Sequence, residues 1–108
     1  MRWMETIKVQ SATGKEQTAE HKLTVLAGDV KKNNDRQGLR EAAVSSHATV
    51  YGYFALRLFW ETDDPNPSGS VLGISLAQTL KAFGLVDHSV WFEAGTNEGG
   101  ENNVQEKK

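Results

Sequence analysis

The chain has 108 residues, of which 38% are hydrophobic and 24% charged, with a formal net charge of −2 and no cysteine. That length suits one core, the composition is that of a folded protein, and the missing thiol excludes disulfides, cysteine nucleophiles and cysteine-ligated metal or iron–sulfur centres. Basic residues are scattered apart from Lys31-Lys32 and Lys107-Lys108, and no apolar run approaches the roughly 20 residues of a membrane-crossing helix, so neither nucleic acid nor a membrane is an expected partner.

The N-terminal MRWMETIKVQ lacks the apolar core of a signal peptide, which points to a soluble, cytoplasmic protein. Residues 3–10 alternate, with Trp3, Ile7 and Val9 on one face and Met4, Thr6, Lys8 and Gln10 on the other. Alternation with period 2 predicts a strand. Thr13 and Glu16 then have the spacing of a capping box, predicting a helix from near Gly14. Its buried stripe is Ala19, Leu23, Leu26 and Val30, and it should end around KKNNDRQG, where turn-forming residues follow two lysines.

Residues 39–47 hold few large apolar side chains and predict an edge strand. Residues 53–61 alternate cleanly, Phe54, Leu56, Leu58 and Trp60 against Tyr53, Ala55, Arg57, Phe59 and Glu61, with Gly52 in the preceding turn. TDDPNPSGS reads as a loop, since two prolines and a glycine disfavour ladder hydrogen bonds. The spacing of Leu72, Leu76, Leu80 and Phe83 predicts a second helix over 71–83, closed by a glycine cap at Gly84. A last strand is expected over 88–94, with Val90 and Phe92 opposite Ser89, Trp91 and Glu93. The 95–108 tail has a single large apolar residue, Val104, and is expected to be a disordered polar extension of a single domain over 1–94.

The order β-α-β-β-α-β predicts a ferredoxin-like α+β fold, an antiparallel sheet with both helices on one face. Met4, Tyr53, Phe59 and Trp91 then fall on the face the helices leave open. A second copy packed sheet to sheet would cover them, which makes these four the expected dimer interface.

In element order and two-faced strands, residues 2–94 resemble the dimeric α+β barrel proteins, including the antibiotic-biosynthesis-monooxygenase-like group. The resemblance implies a homodimer and a small aromatic or apolar ligand between helices and sheet. For the members that are oxygenases it implies cofactor-independent chemistry, hence no cofactor here. No short motif accompanies it, so no catalytic residue is carried over and whether the chain is an enzyme stays open. Trp60 and Phe83 are the expected ligand-binding residues. The alternative is a non-catalytic interaction module whose helices only complete the core.

Among groups with chemistry of their own, His88 is the candidate catalytic residue, as a general base near neutral pH. A structural hydrogen bond at the strand entrance is the preferred reading, because Asp87 is its neighbour and Trp91 falls on the other face. Asp87, His88 and the nearby serines lack the nucleophile elbow of a hydrolase. His21 and His47 are isolated. Glu61, Asp63 and Asp64 read as a solvated turn with no metal. The donors of SGS at 68–70 could hold a carboxylate or phosphate, but Asp63 and Asp64 nearby favour helix capping. Glu5 and Arg57 stand beside apolar positions and need partners, either as a paired interface or pocket feature or as long side chains reaching solvent at the sheet margin; the latter is expected.

Overall fold

In chain order, the computed structural model, which describes residues 1–94, runs β1 (Arg2–Ser11), α1 (Glu16–Asn33), a 3₁₀ turn (Asp35–Gln37), β2 (Leu39–Ser46), β3 (Tyr53–Glu61), α2 (Val71–Leu80) and β4 (Gly84–Phe92). The four strands form one antiparallel sheet in the order β2-β3-β1-β4, so the two best-alternating strands are central and the residue-poor β2 is an edge. Both helices lie on one face, α1 over β2 and β3, α2 over β4 and β1. This is the ferredoxin-like α+β arrangement that the hydrophobic periods predict. No helix among the described residues is long and apolar enough to cross a membrane. The 95–108 tail lies outside the described residues.

The core is the layer between helices and sheet. Ile7, Val9, Leu23, Leu39, Leu56, Leu58 and Leu80 are fully enclosed there, and Trp3, Phe54 and Trp60 nearly so. Burying one such aliphatic side chain contributes roughly 1.5–3 kcal/mol. One ionisable residue shares this layer, Glu5, at 0% exposure.

Besides strand ends that stop one or two residues early, three boundaries differ from the sequence expectation. The first helix starts at Glu16 and not near Gly14, because Ala12 to Lys15 close a turn through Lys15 N–H to Ala12 C=O (2.9 Å), with Gly14 at φ +87°. Thr13 makes no cap, and Glu16 reaches back instead to the Gly14 N–H (3.0 Å). The second helix ends at Leu80, after which i→i+3 bonds tighten residues 78–83. Gly84 is not a left-handed cap: it opens β4 opposite Ser11, and a Cβ there would collide with the Gln10 carbonyl oxygen. β4 therefore begins four residues earlier than expected, since the ten-residue β1 carries a partner along nearly its whole length.

Candidate functional site

Glu5 lies on the helix-facing side of β1, between Trp3 and Ile7, and its carboxylate reaches the start of α2. The Trp60 Nε1–H donates to Oε1 (2.8 Å), as does the Ser70 hydroxyl; the Ser70 backbone N–H donates to Oε2 (3.0 Å), and His88 Nε2 lies 2.8 Å from the same oxygen. A carboxylate only accepts, so the Nε2 facing it carries a proton, an assignment that follows from the partner. Four donors thus satisfy one buried anion, the condition under which a charge survives in a core.

The local sequence makes the space. Ser70 is the N-cap of α2, accepting from the Gly73 N–H (2.8 Å) while its hydroxyl donates to Glu5, and the positive end of the helix dipole faces the carboxylate. A Cβ on Gly73 would collide with Glu5 Oε2. One on Gly69, held at φ +108°, would meet His88 Cε1 at 2.5 Å and Glu5 Oε2 at 2.8 Å. Both glycines are therefore required by the buried carboxylate and the imidazole beside it. The capping expected of SGS is found, and the segment also holds a carboxylate, one supplied by the chain itself. The expectation for Glu5 is corrected, since it does not reach solvent, and Arg57 stands on the opposite face, cross-strand from Thr6.

Trp60 and Ser70, held by Glu5, also line a cleft of about 540 Å³ between the start of α2, the 3₁₀ turn and the sheet. Trp3 stacks on Trp60 with ring centroids 5.5 Å apart and 14° between planes, and its Nε1–H is fixed on Thr62 Oγ1 (2.9 Å). Val71 and Leu72 add apolar wall, and Asn34, Gln37 and Asn66 supply neutral polar groups. The carboxylate sits one layer behind this wall and orients it.

Of the expected ligand-binding pair, Trp60 is in the cleft, while Phe83 lies at the far end of the sheet, its carbonyl accepting from the Ala12 N–H (2.7 Å). His88 is brought to Glu5, not to Asp87, which is exposed on the other face. Serine, glutamate and histidine do meet, but the carboxylate is in the middle and the hydroxyl points to it, which is not the order that activates a nucleophile through imidazole. His47 lies at the end of β2 and His21 on the exposed side of α1. No group of three or more His, Cys, Asp or Glu placed to hold a metal occurs among the described residues.

On the open face, Met4 is cross-strand from both Phe59 and Trp91, and the three border a shallow hollow of about 290 Å³ closed at one side by the Arg2–Glu93 ion pair (2.6 Å). Phe59 is 37% and Trp91 57% exposed. Tyr53 stands at the other end of this face.

Comparison with solved structures finds the same fold. A candidate antibiotic biosynthesis monooxygenase from Deinococcus radiodurans superposes with a TM-score of 0.63 at 15% identity, covering 90% of this chain and 96% of that one. One from Chloroflexus aurantiacus J-10-fl gives 0.56 at 13% identity, over 93% and 100% of the two chains. Rv0793 from Mycobacterium tuberculosis gives 0.55 at 14% identity, with the same coverage. Neither a protein-family model nor a curated protein matches the chain. The chain thus has the fold of these monooxygenase-like proteins over about nine-tenths of its length.

Proposed function

We propose that this protein binds a small, flat, largely apolar molecule in the cleft beside Trp3 and Trp60, and that it works as a homodimer joined through the sheet face bearing Met4, Phe59 and Trp91. The observation that carries the ligand is the stacked tryptophan pair, with each indole nitrogen tied down, bordering a cleft of about 540 Å³. That volume falls within the roughly 300–1,000 Å³ of small-molecule sites, and a wall fixed before binding lowers the entropy lost on binding. Asn34, Gln37 and Asn66 orient a polar substituent by hydrogen bonding.

The fold shared with monooxygenase-like proteins supports oxygenation of that ligand without a cofactor as the reaction, an inference from architecture. A second reading, a binding module without chemistry, is favoured by Glu5: its carboxylate is enclosed behind the cleft wall and its oxygens already accept four hydrogen bonds from within the chain.

Native mass spectrometry of the freshly purified protein tests the proposal, with 1-naphthol as the added probe if nothing is retained. A dimer mass carrying one small molecule per chain is expected, and Leu72→Trp, which fills the cleft, should abolish retention. A monomer that neither retains a ligand nor shows 1-naphthol quenching of tryptophan fluorescence would overturn it. Oxygen uptake with the retained molecule, without added flavin, haem or metal, separates the enzyme from the binding module.

A further inference from the structure

The cleft beside Trp3 and Trp60 has one charged side chain in its wall, Asp64, from the loop that joins β3 to α2. The rest of the lining is apolar or neutral, with no lysine, arginine or histidine in it. Asp64 closes no ion pair within 4 Å among the described residues. The cations at this end of the molecule stand elsewhere. Arg40 lies between two other carboxylates, 3.8 Å from Asp35 Oδ1 and 3.7 Å from Glu61 Oε1. Arg36, on the 3₁₀ turn, and the amino group of Met1, whose carbonyl accepts from the Thr62 N–H (3.0 Å), lie outside the wall. The two segments that flank the cleft, 35–40 and 61–66, together hold four acids (Asp35, Glu61, Asp63, Asp64) against two arginines. Their field at the cleft mouth favours a positive ligand.

The neutral groups do not reverse that sign. Asn34 Nδ2 donates to the Val30 carbonyl (2.9 Å), an assignment that follows from the partner and leaves Oδ1 as an acceptor. Asn66 is set the other way, with Oδ1 accepting from the Ser68 N–H (2.8 Å) and its amide hydrogens left as donors. One amide acceptor thus balances one amide donor, and the carboxylate decides. The start of α2, the other feature here that attracts anions, is already occupied: the Ser70 N–H donates to Glu5 and the Gly73 N–H to Ser70 Oγ.

We propose that the ligand of this cleft is an aromatic amine in its cationic form, with a flat apolar ring against the indole wall and an alkylammonium group on Asp64. This rests on the cleft being a ligand site and adds the charge of what it takes. Asp64 is exposed, so the ion pair selects among ligands of one shape more than it tightens them all, and it turns organic acids away.

The test is calorimetric titration of the full chain at pH 7 with three probes that share one ring: 1-naphthylmethylamine, which is cationic as alkylamines are at that pH, neutral 1-naphthylmethanol, and anionic 1-naphthoate. The amine should bind about fivefold tighter than the alcohol, and the acid weaker than either. Asp64→Asn should bring the amine and the alcohol within about twofold of each other, and raising the salt from ~0.02 M to ~0.5 M should narrow the gap in the unmodified protein. Asp63→Asn, a neighbour outside the wall, should keep the preference. Equal binding of amine and alcohol, or a preference that survives Asp64→Asn, or one lost equally in Asp63→Asn, would overturn the proposal while 1-naphthol still reports the cleft. If 1-naphthol and all three probes fail to bind, the cleft itself falls, and the charge assigned to its ligand with it.

Discussion

The two faces of the sheet treat charge in opposite ways. On the helix side a single carboxylate, Glu5, is fully enclosed and receives four hydrogen bonds from a strand, an edge strand and a helix start. On the outer side Lys8 stands cross-strand from Asp87, and neither Lys8 nor Arg57 forms an ion pair within 4 Å among the described residues. A saturated charge holds its surroundings in place, whereas an unsaturated one is available to a partner.

The largest effect should come from Glu5→Ala. Removing one side of a buried hydrogen-bonded pair leaves Trp60 Nε1, the Ser70 N–H and His88 facing a void, and losses of this kind run to about 3–5 kcal/mol. Urea denaturation of the variant beside the unmodified protein measures it. A loss below about 1 kcal/mol would mean that the network contributes little, and that the helix-side charge is no more structural than the outer ones.

Phe59→Asp or Trp91→Asp sharpens the outer half. If these side chains are anchors between two copies, each substitution should weaken association by about 2 kcal/mol or more, roughly thirtyfold. Sedimentation velocity would show a dimer turning to monomer, with the secondary structure unchanged because both residues point away from the core. A monomer at micromolar concentration before any substitution would remove the need for a covered outer face.

The strands and their faces were legible in the sequence because alternation in WMETIKVQ and YFALRLFWE leaves one choice of register. The Glu5 site was not. Its members come from β1, β3, β4 and the start of α2, and nothing in a linear pattern says that residues 5, 60, 70 and 88 meet. Two signals were nonetheless present. A glutamate stood on the apolar face of a central strand, and Gly73 occupied the helix interior, where glycine costs about 1 kcal/mol relative to alanine and so calls for a reason.

Ser70→Ala should have an intermediate effect. It removes the N-cap of α2 and one of the four donors to Glu5, while leaving the Ser70 backbone N–H in place. Cap losses are typically about 1 kcal/mol, and a buried acceptor that keeps three donors adds little. A cost matching that of Glu5→Ala would show that the hydroxyl, and not the carboxylate, is the centre of the network. Thermal melting of the two variants in one buffer decides between them.

The smallest effect is expected from the outer cations. Lys8 is exposed, Arg57 is half-buried, and among the described residues the one side-chain hydrogen bond of Arg57 is the 3.4 Å approach to Ser45, so Lys8→Gln and Arg57→Gln remove no satisfied buried group. Changes of that kind usually stay within about 0.5 kcal/mol. Asp87 faces Lys8 across the sheet without closing an ion pair, so neutralising either cation should leave the melting temperature nearly unchanged. If either substitution instead lowers stability by as much as Ser70→Ala, the outer charges are partners in the fold, and the contrast between the two faces disappears.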